Sequence, residues 1–163
     1  MRETGAQSRK CPENFSLSIS DDRVCLRKFN IKTDWEIAQK VCEDLNANLV
    51  TIRSQDMQDE INLVTTERIW LGFQRDSTNQ FKWVTGDDVD FTYWGQNQPD
   101  NSGNSENCAE NHPTFQWNDR NCIGSNEYIC EVKSGIFRLF YLYYHNKNGK
   151  WIRLVKTHYQ STI

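Results

Sequence analysis

A chain of 163 residues is enough for one compact domain with a single core and leaves little for a second. Its net charge of −3 conceals an asymmetry, because the stretch from Ser134 to the end carries five Lys/Arg and no Asp/Glu, leaving −8 on the first 133 residues. An acidic body excludes nucleic acid as the partner, since phosphate binding needs clustered cations that release counterions, and no apolar run of about 18 residues exists to cross a membrane as a helix.

The first ten residues, MRETGAQSRK, are polar and lack the apolar core of a secretion signal. They are expected to form a flexible segment, with a leader already removed or the sequence a fragment. Asn14-Phe15-Ser16 is a sequon for N-glycosylation at Asn14. From Thr33 onward, Trp35, Ala38, Val41, Cys42 and Leu45 recur at steps of three and four, and Thr33 with Glu36 reads as a capping box, which predicts a helix over 33–46. Ser54 opens a second helix toward Thr66, with Asp56 in its first turn and Met57, Ile61 and Val64 on one face. Residues 48–52, 69–73, 81–84, 115–117 and 128–131 read as short strands. Two early helices followed by short strands predict an α+β fold with an antiparallel sheet. Residues 87–110 form a polar loop, long for a compact domain, and such loops are functional or disordered. Residues 134–163 are a basic, aromatic C-terminal extension whose apolar runs, 136–144 and 151–155, flank Asn148-Gly149. That pattern is a hairpin signal with an edge for a homo-oligomer or a membrane surface, and the other reading is a disordered tail.

Six cysteines, Cys11, Cys25, Cys42, Cys108, Cys122 and Cys130, include no CxxC pair. They read as three disulfides formed in an oxidising, extracellular compartment, with 15 pairings open. The histidines are His112, His145 and His158, and no nucleophile has a base near it, so an enzyme is not expected.

The loop, by contrast, is rich in the oxygens that calcium prefers, roughly six to eight from carboxylates, amides and backbone. Gln98, Asp100 and Glu106 lie on it, and Asn118-Asp119 follow the strand-like Phe115-Gln116-Trp117. One side-chain oxygen from each of these five, plus the Asp119 carbonyl, makes six and leaves positions for ligand hydroxyls.

Cys-Pro-Glu-Asn-Phe at Cys11, Ala-Asn-Leu-Val-Thr-Ile at Ala47, Trp-Leu-Gly-Phe at Trp70, Gln-Pro-Asp at Gln98, Glu-Asn-Cys at Glu106, Trp-Asn-Asp at Trp117 and Tyr-Ile-Cys-Glu at Tyr128 together resemble a C-type lectin-like domain over residues 11–133. The resemblance implies the C-type lectin-like fold, with two helices packed on short antiparallel sheets and a disulfide-stapled calcium loop. It implies the pairings Cys11–Cys25, Cys42–Cys130 and Cys108–Cys122, and a cis bond before Pro99. It further implies one Ca2+ held by Gln98, Asp100, Glu106, Asn118 and Asp119, the same side chains exchanging hydrogen bonds with two neighbouring hydroxyls of a carbohydrate. The order Gln-Pro-Asp resembles members that prefer galactose or N-acetylgalactosamine. Two departures stand out. No aromatic follows Asp100, leaving His112 or Phe115 as the candidate sugar contact, and Arg75, Asn101 and Asn107 stand where some members carry acids for further ions. The expectation is therefore one calcium and a secreted lectin; the alternative is a protein-binding module in which calcium only orders the loop.

Overall fold

The computed structural model describes residues 9–112, 114, 116–145 and 151–161. In chain order its elements are β1 (Arg9–Lys10), β2 (Ser16–Leu17), β3 (Val24–Thr33), α1 (Trp35–Asp44), β4 (Asn48–Leu49), α2 (Gln55–Val64), β5 (Ile69–Arg75), β6 (Phe81–Trp83), β7 (Cys108–His112), β8 (Gln116–Arg120), β9 (Asn126–Lys133), β10 (Gly135–His145) and β11 (Trp151–Ser161). The larger sheet runs β2-β3-β9-β5-β7-β8, with β4 added on β9 and β6 on β5. Its pairs are antiparallel apart from β5 with β9, which run parallel.

Both predicted helices form, and their starts show how local chemistry sets a boundary. α1 is capped by Asp34, whose carboxylate accepts the N–H of Ile37 at 2.8 Å, so the cap sits one residue after the Thr33 expected for it. α2 is capped by Ser54 as expected. Besides the two-residue strands β1 and β2, two longer strands were not foreseen. β3 carries a mixed pattern with three buried residues only at its start, and β7, Cys-Ala-Glu-Asn-His, begins inside the stretch read as loop and runs two residues past it.

Two apolar clusters fill the interior. One gathers Val50, Ile52, Ile61, Leu71, Phe73, Trp83 and Trp117, and the other packs Trp35 and Ala38 of α1 against Leu49, Trp70 and Tyr128. Gly72 is needed where β5 crosses β4, because a Cβ there would stand 2.5 Å from the Leu49 carbonyl oxygen and 2.9 Å from a Val84 methyl. All six cysteines are paired, Cys11–Cys25, Cys42–Cys130 and Cys108–Cys122. This is the connectivity that the resemblance implied.

The ends differ from expectation. Arg9 and Lys10, placed in a flexible 1–10 segment, pair instead as β1 with Ile136 and Gly135, because β10 offers them a strand edge. In the 134–163 extension, β10 and β11 pair antiparallel over their full length, from Gly135 with Ser161 to His145 with Trp151. The Asn148-Gly149 turn lies outside the described residues. Among the described residues no helix is long and apolar enough to cross a membrane.

A buried carboxylate ties α2 to the β2–β3 connection. Glu60 accepts the hydroxyls of Ser18 and Ser20 at 2.6 Å each and the N–H groups of Ile19 and Ser20 at 2.9 and 3.0 Å. Burial raises its pKa, but these four donors outweigh it and hold the carboxyl below its ordinary range. A depressed folded pKa contributes stability that is present above the unfolded carboxyl pKa and is lost as pH falls through the folded one. Glu60→Gln is therefore expected to cost about 1–3 kcal/mol at neutral pH and to flatten the acid limb of stability against pH. Urea unfolding at about pH 7 and about pH 3 measures both, and parallel pH profiles for wild type and variant would rule this role out.

Candidate functional site

The Cys108–Cys122 bridge closes the β7–β8 hairpin, and the two strands pair from Cys108 with Arg120 to His112 with Gln116. Strand alternation then decides what each residue of β8 faces. Trp117 and Asp119 are fully buried on one face of the strand, and Asn118 between them is half-buried on the other. The loop is held against this hairpin by backbone bonds. Trp117 donates its N–H to Tyr93 and its carbonyl accepts from Gly95, both at 2.8 Å, which fixes the approach to Gln98.

The Gln98-Pro99 peptide is cis, as the resemblance implied. Asp100, Glu106 and Asp119 place ligand oxygens within 4.8 Å of one another. Asp119 is the centre of the arrangement: fully buried, it accepts the N–H of Asp100 at 3.0 Å, the N–H of Asn101 at 2.8 Å and the guanidinium of Arg75 at 2.7 Å. Gln98 Oε1 accepts from the Asp100 N–H at 3.2 Å, and Ser102 N–H donates to both Asp100 and Glu106. Asn101 adopts a left-handed backbone, φ 48°, and its side-chain oxygen accepts the Glu106 N–H at 3.0 Å. This explains why an asparagine stands there and not an aromatic residue. The small residues after it allow the tight 3-10 turn at Ser102–Asn104.

The donor set fits a hard divalent cation. Burial pushes the Glu106 carboxyl up, and the charges of Asp119 and Asp100 push it the same way against the single Ser102 N–H. Three crowded carboxyls of this kind are relieved by a cation. The Asn118 amide nitrogen lies 2.5 Å from the Asp119 carbonyl oxygen. That contact sets the Asn118 side-chain amide against the backbone oxygen of Asp119.

Arg75 is the residue the sequence did not announce. At the end of β5 it donates Nε to the Glu106 carbonyl at 3.0 Å and Nη2 to Asp119, and it lies 4.5 Å from the Phe81 ring. One guanidinium thus ties three separate segments together. Its charge also alters the balance, because three carboxylates and one guanidinium sum to −2, which a divalent ion cancels. Asn101 is engaged within the site: its N–H donates to Asp119 and its side-chain oxygen accepts the Glu106 N–H.

Beside this cluster is a cleft of about 400 Å³, lined in part by Gln98, Asn118, His112, Arg68 and Glu110. It brings His112 to the same opening as two of the expected ligands. His112 Nδ1 lies 3.2 Å from the Thr114 backbone nitrogen and 2.8 Å from its hydroxyl. Phe115 lies outside the described residues. Asn14 is exposed, with a left-handed φ of 63°.

Residues 31–132 match the lectin C-type domain family. The chain is 33% identical over 141 residues to asialoglycoprotein receptor 2 of Homo sapiens, covering 82% of this chain and 44% of that one. It is 33% identical over 104 residues to the hepatic lectin of Gallus gallus, covering 61% of this chain and 50% of that one. It therefore spans half or less of the length of these relatives. Among solved structures, the mouse scavenger receptor C-type lectin carbohydrate-recognition domain superposes with a TM-score of 0.67 at 32% identity, over 76% of this chain and 96% of that one. A calcium-independent type II antifreeze protein, at 22% identity and a TM-score of 0.72 over 80% of this chain and 99% of that one, shares the fold alone.

Proposed function

The chain belongs to the C-type lectin domain family, and from that premise we propose that it binds carbohydrate through one calcium ion held by Gln98, Asp100, Glu106, Asn118 and Asp119. The family is one of binding domains, not enzymes. The observation that carries the reading is the convergence of the Asp100, Glu106 and Asp119 oxygens within 4.8 Å, beside a cleft that Gln98 and Asn118 line.

A bound calcium supplies open coordination positions for two neighbouring hydroxyls of the sugar. The chain's own residues do the rest. The Gln98 and Asn118 amides donate to those hydroxyls, while the Asp100 and Glu106 carboxylates accept from them, so recognition depends on which side of the site donates. With the amide at 98 and the acid at 100, the polarity suits galactose-type hydroxyl pairs. His112, at the edge of the same cleft, is the residue that would contact the sugar in place of a stacking ring after Asp100. The three disulfides support an extracellular site of action, where calcium at about 10⁻³ M fills a module of this kind, whose dissociation constants run about 10⁻⁴ to 10⁻³ M.

Isothermal titration with galactose and mannose, in calcium and in EDTA, tests the proposal. Galactose is expected to bind more tightly than mannose, only with calcium, and Gln98→Glu combined with Asp100→Asn is expected to reverse the preference. Absence of calcium-dependent heat with every simple sugar sinks the reading. Protein binding that survives EDTA would then point to the interaction module instead.

A further inference from the structure

The cleft beside the ion ligands carries a charge that the sugar reading does not use. At 1% exposure, Glu110 is one of the most deeply buried acids in the fold, and its two oxygens are shared among four donors. Oε1 accepts from Arg68 at 2.6 Å and from Asn118 at 3.4 Å, and Oε2 from Arg120 at 3.0 Å and Asn126 at 2.8 Å. Two guanidiniums against one carboxylate leave this group at +1 in a body that is otherwise acidic. Arg68 is the exposed member, its side chain 44% accessible, and it lines the cleft. A guanidinium has five N–H donors in a planar fork, the shape that matches the paired oxygens of a sulfate or carboxylate.

The cleft also has room. Sites that enclose a small molecule run about 300–1,000 Å³, so 400 Å³ holds a substituent or a second sugar beyond the two hydroxyls at the ion. Gln98 and Asn118 belong both to the cleft and to the expected ligand set, so a saccharide seated on the ion extends into it.

We propose that this cleft is a subsite for an acidic group, sulfate or carboxylate, borne by the saccharide, with Arg68 as the residue that reads it. The inference rests on the lectin reading above, because the acidic body repels free anions and the sugar must deliver the group to Arg68.

The test is titration, in calcium, of galactose, galactose 6-sulfate and galacturonic acid, which present a hydroxyl, a sulfate and a carboxylate at the same carbon. One or both acidic sugars are expected to bind about tenfold more tightly than galactose, the worth of one charge-assisted pair, and the stronger of the two identifies the group. Arg68→Gln is expected to bring the affinity ratio close to one and Arg68→Lys to retain part of it, the lysine keeping the charge without the fork. Thermal unfolding of both variants confirms that Arg120 and Asn126 still satisfy Glu110. Equal affinities for all three sugars in the wild type, a preference that survives Arg68→Gln, or equally tight binding of inorganic sulfate alone overturns the subsite and leaves the lectin reading standing. No calcium-dependent binding of any of the three overturns both.

Discussion

Asp119→Ala is expected to abolish calcium-dependent sugar binding and to destabilise the domain by about 3–5 kcal/mol, the scale of breaking a buried ion pair. The side chain is fully buried and takes three donors, the N–H groups of Asp100 and Asn101 and the Arg75 guanidinium. Truncation leaves Arg75, itself only 10% exposed, without its carboxylate partner and with only backbone carbonyls to accept from it, and frees the loop that carries Asp100 and Glu106. Binding and stability are separable here. In Arg75→Met combined with Asp119→Ala, both members of the pair are gone, and removing both is far less costly than orphaning one. The double variant should therefore regain a large part of the lost stability in urea unfolding while still failing to bind. If the double variant is no more stable than Asp119→Ala alone, the pair is not what holds the loop. If calcium-dependent binding survives Asp119→Ala, the ligand assignment fails.

The same residues explain what a linear sequence conceals. The helices were legible because burial repeats every three or four residues along them, and Ser54 caps α2 with its own side chain. The choice of Asp34 over Thr33 as the cap of α1 was not, because adjacent residues compete for it and only side-chain geometry decides. β7 was hidden because its buried positions include Glu110 and Asn111, polar residues that a strand core normally rejects. They are tolerated because partners far along the chain satisfy them: Gln58 meets Asn111 from 53 positions away and Arg68 meets Glu110 from 42. Arg75 was invisible as a tie for the same reason, since its acceptor lies 44 residues on. Gln98, Asp100, Glu106, Asn118 and Asp119 could be chosen as a set because oxygen-rich motifs in a fixed order resemble a known domain. Periodicity contains no information about which loop residues face one another.

Trp117 is where the core and the site meet, and Trp117→Ala is expected to cost about 3–5 kcal/mol, a large share of the roughly 5–15 kcal/mol that holds a domain together. Its ring is fully buried, with Phe73, Trp83, Phe91 and Trp94 at centroid distances of 5.6–5.9 Å, and its indole N–H donates to Gln58 at 2.7 Å. Trp117→Phe separates the two contributions: it keeps an aromatic ring in the cluster but leaves the buried Gln58 oxygen without that donor, for about 1–3 kcal/mol. The backbone bonds to Tyr93 and Gly95 are available to any residue at 117, so a loss of sugar affinity must come through packing. Without the ring, Trp94 loses its neighbour one residue before Gly95, and Asn118 and Asp119 lose the anchor that sets their facing on β8. Galactose affinity in saturating calcium should thus fall in the order wild type, Phe, Ala, in step with the denaturation midpoint. Stability that drops while affinity holds would show that the disulfide-closed β7–β8 hairpin positions the ligands without help from the core.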